Sequence, residues 1–308
     1  MKQPKVVVVG STNTDMVFRS QRVPEAGETI LGGTFAMVAG GKGANQAVAA
    51  ARLGAAVTFV AKVGRDSLGE QAVAAFQADG IDTSYIAVDD TASSGVAAIL
   101  VDDVTGQNRI IVASGANAAL TVADVEAAST AIRTADIVVC QLEVPLDAVV
   151  AALTIAHGAG VPTILNPAPA MALPAAIFPL VTYITPNEIE AGQMLEGTGC
   201  DVPASDYTAC AAIIRSLGVE TVITTLGGDG AYILTSAGPA KVEGRRVKEV
   251  VDTTAAGDCF TGALATALAE QRTLADAIDF ANRAAAISVT RAGAQPSLPS
   301  RFEVDASR

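Results

Sequence analysis

The sequence predicts an α/β fold: a doubly wound, mostly parallel sheet flanked by helices, with a small inserted β-sheet forming a lid. Three observations carry this. Short continuous apolar runs alternate with longer Ala-rich helical patterns, as in βαβ units whose strands are buried on both faces. Half of the 308 residues are apolar, enough to build a sizeable core. Two stretches, 14–38 and 95–113, break the βαβ rhythm with turn-separated, β-branched runs that lack helical period.

In chain order, strands are expected at Lys5–Val9, Val57–Val63, Ile137–Leu142, Thr163–Leu165, Tyr183–Ile184, Thr221–Thr225 and Ala231–Leu234. Helices are expected at Gly43–Leu53, Leu68–Ala78, Leu146–His157, Ala204–Leu217, Gly257–Glu270 and Leu274–Val289. Within the second irregular stretch, Asp102-Asp103-Val104-Thr105-Gly106-Gln107 has the composition of a hairpin loop. The two stretches read together as one small sheet; a pair of ordinary surface excursions is the alternative. A projecting sheet must have its outer face covered, which suits a lid or a dimer contact. No repeat, low-complexity tract or linker divides the chain, so one domain over residues 1–308 is expected.

Composition removes several function classes. The formal net charge is −12 with no basic block, which argues against nucleic acid or an anionic membrane as the main partner. A phosphorylated ligand stays open, because helix N-termini and Gly-rich turns bind anions through backbone N–H groups. No apolar run is long enough to span a bilayer, and MKQPKVVVVG reads as a first buried strand rather than a secretory signal. The four cysteines, Cys140, Cys200, Cys210 and Cys259, show no CxxC spacing and read as free thiols of a reducing, cytoplasmic compartment. Cys259, near a helix start, is either a thiol of lowered pKa or a small buried residue, and the second reading is the better one. His157, the single histidine, ends a helical pattern just before Gly158. One histidine cannot form a multi-histidine metal site, so general-base chemistry falls mainly to carboxylates.

The strongest motif is Val251-Asp252-Thr253-Thr254-Ala255-Ala256-Gly257-Asp258, opening a long helix. Small residues allow a tight turn and leave the first N–H groups of the helix facing outward, which suits a transferring phosphoryl group. Asp258 beside that turn can accept a hydroxyl proton; taken alone, it can equally be a first-turn acid complementing the helix dipole. Gly40-Gly41-Lys42-Gly43-Ala44-Asn45-Gln46 opens another helix but is neither a Walker A loop nor a dinucleotide fingerprint. Its backbone can approach a polyol closely, with Lys42 and Asn45 supplying hydrogen bonds. Gly10-Ser11-Thr12-Asn13-Thr14-Asp15 follows the first strand, where doubly wound sheets bind ligands. Asn13 and Asp15 would share one face of an extended segment, although an ordinary strand-ending turn explains them as well. Glu143, Asn187 with Glu190, and the turn Thr225-Leu226-Gly227-Gly228-Asp229-Gly230 follow three further strands.

In GSTNTD, GGKGANQA, QLEVP, NPAPA, TPNEIEA, TLGGDG, DTTAAGD and RAGAQPS, in that order, the chain resembles the ribokinase (phosphofructokinase-B type) carbohydrate kinase family over nearly its whole length. The resemblance implies that Asn13, Asp15, Gly41, Lys42, Asn45 and Glu143 hold a sugar. Asp258 would be the catalytic base, with the backbone of Ala255, Ala256 and Gly257 as the anion hole. Asn187, Thr225, Gly227, Gly230 and Asn282 would line the ATP site, and Glu190 would support magnesium indirectly. Asp252, Thr254, Ser288, Arg291, Gly293 and Ser297 match the positions of a monovalent (K+) cation site built largely from backbone oxygens. Asn282 stands where some relatives have histidine. The implied reaction is in-line phosphoryl transfer from MgATP to the primary hydroxyl of ribose, with 2-deoxyribose, another sugar or a nucleoside as alternatives. The implied assembly is a homodimer through the lid. A non-catalytic sugar-binding protein would lack the base or the anion hole. A dehydrogenase would want a GxGxxG turn after the first strand, which GSTNTD does not supply.

Overall fold

The computed structural model describes residues 3–196, 202–203 and 205–307. Its strands are β1 (Lys5–Val9), β2 (Asn13–Ser20), β3 (Thr34–Gly40), β4 (Ala56–Gly64), β5 (Asp82–Asp89), β6 (Gly95–Asp102), β7 (Asn108–Ala113), β8 (Ile137–Cys140), β9 (Thr163–Leu165), β10 (Tyr183–Ile184), β11 (Thr221–Thr225), β12 (Ala231–Thr235) and β13 (Gly238–Val242). Its α-helices are α1 (Lys42–Arg52), α2 (Ser67–Ala78), α3 (Val122–Ala127), α4 (Ser129–Arg133), α5 (Leu146–Gly158), α6 (Glu188–Gln193), α7 (Tyr207–Ser216), α8 (Ala256–Ala269), α9 (Leu274–Ser288) and α10 (Arg301–Ala306).

Four consecutive valines make β1 apolar on both sides, so both sides must be covered. Val6 and Val8 pack into one core with α1, α8 and α9; Val7 and Val9 pack into a second core with α5 and α7. The main sheet has nine strands in the order β13-β12-β11-β10-β9-β8-β1-β4-β5. It is parallel from β5 to β11, and only the β11-β12-β13 edge is antiparallel. The winding reverses between β1 and β8, so the crevice beyond their carboxyl ends is where a ligand fits.

The two irregular stretches form one separate four-stranded sheet, β3-β2-β6-β7. Its strands alternate: Asp15, Val17 and Arg19 face a cavity over the main sheet, while Phe18 and Phe35 pair on the outer face at 4.8 Å between ring centroids. Gly106 lies in the expected β6–β7 hairpin loop, whose Asp102 side chain accepts the N–H groups of Val104 and Thr105.

Several boundaries differ from expectation. Strands β5 and β13 were not anticipated, because Asp82–Asp89 mixes polar and apolar residues and Gly238–Val242 carries a glycine and a proline. Strand β8 stops at Cys140 rather than Leu142, because the next residues leave the ladder: the Leu142 N–H bonds the Ala168 carbonyl. Ala204, the expected start of a helix, lies outside the described residues; helix α7 begins at Tyr207, capped by the Asp206 side chain on the Ala209 N–H. His157 lies exposed in the last turn of α5. Cys140, Cys210 and Cys259 are unpaired and buried, and Cys200 lies outside the described residues. Burial pushes the Cys259 thiol up to about 12, which makes it the small buried residue and not an activated thiol. Among the described residues, no helix is long and apolar enough to cross a membrane.

Candidate active site

The site grows from the turn after β1. Ser11 Oγ donates to Glu143 Oε2 at 2.6 Å, joining the carboxyl ends of β1 and β8 at the reversal of winding. The Lys42 N–H donates to the same oxygen at 3.0 Å, so the start of α1 is tied to both strand ends. This approach requires glycine. A Cβ on Gly41, whose φ is 90°, would lie 2.7 Å from Thr12 Cα, and one on Gly43 would lie 2.6 Å from the Ser11 nitrogen.

Above this turn lies a cavity of about 810 Å³. Asn13, Asp15, Gly41, Lys42, Asn45 and Glu143, the six residues expected to hold a polyol, all line it. The small sheet supplies an apolar roof of Ala97, Ile99, Ile110 and Val112. A second cavity of about 200 Å³ is lined by Asn187, Glu190, Thr225, Ala256 and Gly257. The two cavities meet at Lys42, Ala255 and Asp258, which line both.

Asp258 sits in the first turn of α8. Ala255 precedes that helix in the left-handed region, at φ 60°, and no side chain caps the helix start. The Ala256 N–H bonds the Thr253 carbonyl at 3.2 Å, so the free N–H groups at this terminus are those of Ala255, Gly257 and Asp258 among the described residues. Of the three backbone donors expected to form an anion hole, those of Ala255 and Gly257 are thus free and that of Ala256 is spent in the turn. A Cβ on Gly257 would meet nothing within 4 Å, which leaves its backbone open to the second cavity.

Each oxygen of the Asp258 carboxylate accepts one side-chain amide: Asn45 Nδ2 on Oδ2 and Gln46 Nε2 on Oδ1, both at 2.9 Å. Burial raises the Asp258 pKa; the Lys42 charge and the two amides oppose the rise, and Glu143 adds to it. A carboxylate raised in this way is a stronger base than one in water. Asp15 is pushed up to about 6 by burial and by the facing charges of Glu143 and Asp258. Lys42 runs the other way: burial pulls its ammonium down, but Asp258, Glu143 and Glu190 together hold it above its ordinary value. Asn45 Oδ1 is buried without a partner beside the larger cavity.

Asn187 and Glu190 form a reciprocal cap of α6, with Asn187 Oδ1 on the Glu190 N–H and Glu190 Oε2 on the Asn187 N–H, each at 2.8 Å. Burial raises the Glu190 pKa. Three nucleotide-side residues are not brought to the wall of the second cavity. Gly227 is open, with no atom within 4 Å of a Cβ. Gly230 has a backbone reason to be glycine, since a Cβ would lie 2.1 Å from the Val242 carbonyl oxygen. Asn282 is buried on α9, where its Nδ2 bonds the Glu243 carbonyl at 3.3 Å.

Two of the segments that carry the expected cation positions are tied together by one carboxylate. Asp252 Oδ1 accepts the Thr254 N–H and hydroxyl, and its Oδ2 accepts the Gly293 N–H at 2.9 Å, which ties the 252–254 and 293 segments. Ser288 and Ser297 turn their hydroxyls onto the carbonyls of Ala285 and Ala294, and Arg291 pairs with Glu303. Sequence reasoning gave no role to Ser11, Gln46, Asn117, Gln141 or Asn166. Asn117 Nδ2 donates to Asn13 Oδ1 at 2.8 Å, and its amide also bonds the Thr12 N–H and carbonyl. Gln46, Gln141 and Asn166 lay inside motifs already singled out, GGKGANQA, QLEVP and NPAPA; buried amides in three separate strand-end motifs were the available signal.

The model of the pfkB family carbohydrate kinases matches residues 3–301. The ribokinase of Staphylococcus aureus is 44% identical over 303 residues, 98% of each chain. That of Schizosaccharomyces pombe is 40% identical over 309 residues, 98% of this chain and 97% of its own. The structure of Arabidopsis thaliana ribokinase complexed with ribose and ATP is similar at a TM-score of 0.88, with 32% identity, covering 99% of this chain and 98% of that one. The chain belongs to the pfkB family of carbohydrate kinases.

Proposed function

We propose that the protein transfers the γ-phosphoryl group of ATP to the primary (C5) hydroxyl of D-ribose, giving ribose 5-phosphate and ADP. The observation that carries this reading is Asp258 at the junction of two cavities, one polar-floored beneath the small sheet and one against an uncapped helix start. The similarity to ribokinases, including one complexed with ribose and ATP, supports ribose as the acceptor.

In the proposed step Asp258 accepts the C5 hydroxyl proton as that oxygen attacks phosphorus and the bond to ADP breaks. Asn13, Asp15, Gly41, Lys42, Asn45 and Glu143 hold the sugar, and Asp15 and Glu143 accept hydroxyl protons as hydrogen bonds. The backbone of Ala255, Ala256 and Gly257, whose free N–H groups are joined by that of Asp258, stabilises charge on the transferring group together with the Lys42 ammonium. Asn187 and Thr225 flank the phosphates, and Gly227, Gly230 and Asn282 lie toward the nucleoside.

The open backbone at Gly257 and the adjacent Lys42 fit a polyphosphate. Mg2+ would be held chiefly by those phosphates, with Glu190 on the cavity wall, and when bound it neutralises charge on the β- and γ-phosphates. K+ would lie against backbone oxygens of Asp252, Thr254, Ser288, Arg291, Gly293 and Ser297. The Asp252 ties from Thr254 to Gly293 support a rigid ring there.

The small sheet is read as a lid on one domain spanning 1–308, excluding water that competes as acceptor. Strand β7 is exposed throughout, with Ile111 at 71%, and the outer Phe18–Phe35 pair needs cover; both support a homodimer through this sheet. Unpaired buried cysteines support a cytoplasmic location.

A panel of D-ribose, 2-deoxyribose, other pentoses, hexoses and a nucleoside tests the reading through coupled ADP release, with and without K+. The expected result is the highest kcat/KM on ribose, raised by K+. A higher kcat/KM on another acceptor overturns the ribose assignment, and ADP release with none of them overturns the kinase.

A further inference from the structure

Gln46 is fully enclosed, as is Gln141, and both protons and the carbonyl oxygen of its side-chain amide are engaged within the protein. Its Nε2 donates one proton to Asp258 Oδ1 at 2.9 Å and the other to Asn166 Oδ1 at 3.1 Å. Its Oε1 accepts Gln141 Nε2 at 2.6 Å. An amide offers two donors and one carbonyl, so both protons are committed. The reverse orientation would set three acceptor oxygens against one another and two NH₂ groups face to face, so these contacts fix the amide one way. Asn166 is anchored in turn, its Nδ2 donating to the Thr185 carbonyl at 3.0 Å.

These contacts link three parts of the molecule. Gln46 belongs to α1, whose neighbouring Asn45 lines the larger cavity; Asn166 and Thr185 line the smaller one; Asp258 lines both. We propose that Gln46 is a positioning residue for phosphoryl transfer: it fixes the Asp258 carboxylate between the two cavities with one buried donor on Oδ1. With both protons committed it has no donor left for a substrate. Asn45, by contrast, holds Asp258 Oδ2 and lines the larger cavity, which Gln46 does not. Two adjacent amides thus take different roles, Asn45 reaching the ligand and Gln46 only the base. The inference rests on the reading of Asp258 as the base.

The groups around Asp258 from every packed element are Lys42, Glu143, Asp15 and Glu190, and none of them replaces a donor lost from Oδ1. Without that donor the carboxylate binds its proton more tightly and rotates more freely. Gln46→Met keeps the length and removes the amide. Its kcat should fall on the order of tenfold to a hundredfold with the ribose KM within about threefold, and the acid limb of the kcat profile should move to higher pH. The change also leaves Gln141 Nε2 and Asn166 Oδ1 unpaired, so part of its effect can be loss of stability. Gln46→Met combined with Gln141→Leu removes both ends of one of those bonds and should recover melting temperature without recovering kcat or the acid limb. A kcat within twofold of the parent with an unmoved acid limb overturns the proposal. So does a double variant that regains rate together with stability. The parent protein in the same assay separates the two readings: no ADP release by the parent sinks the kinase, whereas an active parent with an equally active Gln46→Met sinks only the role of Gln46.

Discussion

Asp15→Asn should make the empty protein more stable at neutral pH while destroying its sugar affinity. Burial and the facing carboxylates of Glu143 and Asp258 lift the Asp15 pKa from 3.8 to about 6. The folded state therefore binds this proton more tightly than the unfolded chain. Stability falls as pH rises from 3.8 to about 6 and carries the full cost above that. A rise of roughly two units corresponds to about 3 kcal/mol, and water in the cavity reduces the effective figure to about 1–3 kcal/mol. Asparagine keeps the shape and removes the charge. Urea unfolding of parent and variant should show a gain of about 1–3 kcal/mol for Asn at pH 7, shrinking to a few tenths of a kcal/mol near pH 3.5, where the parent's Asp15 is mostly protonated in both states. Saturating ribose should raise the parent's stability and leave the variant's unchanged. A difference between the two proteins that does not vary with pH would refute the reasoning.

Two further changes probe the framework behind the site. Asn117→Leu frees Asn13 from its buried anchor and should raise the ribose KM by about tenfold with kcat within a few-fold, the opposite split from Gln46→Met. An unchanged KM would remove Asn117 from any role in the sugar site. Gly10→Ala would place a Cβ 1.9 Å from Gln141 Oε1 and 2.9 Å from Gly43 Cα. It should cost about 1–3 kcal/mol in chemical unfolding and lower kcat through the displaced Gln141–Gln46 pair; a fully stable, fully active variant would contradict this packing.

The sheet was legible because its strands are short apolar runs. β1, β9, β10 and β11 fall at the expected residues, since a strand buried on both faces leaves little freedom in where its apolar run begins and ends. Strands β5 and β13 were not legible, because they lie at the two edges of the sheet and tolerate polar residues, glycine and proline. The small sheet was visible as a break in rhythm, but the pairing of β2 with β6 joins residues more than eighty positions apart and leaves no local mark. In the site, charged and glycine residues at strand ends announced themselves. The amides Gln46, Asn117, Gln141 and Asn166 did not, because their meaning lies in partners from other elements.

The central claim is that Asp258 accepts the sugar's proton between two cavities. Turnover of Asp258→Asn with ribose and MgATP, alongside ribose binding by calorimetry, tests it most directly. The account predicts an intact fold, ribose affinity within a few-fold, and a kcat lower by on the order of a thousandfold, about 4 kcal/mol of lost transition-state stabilisation. Turnover close to that of the parent would contradict it.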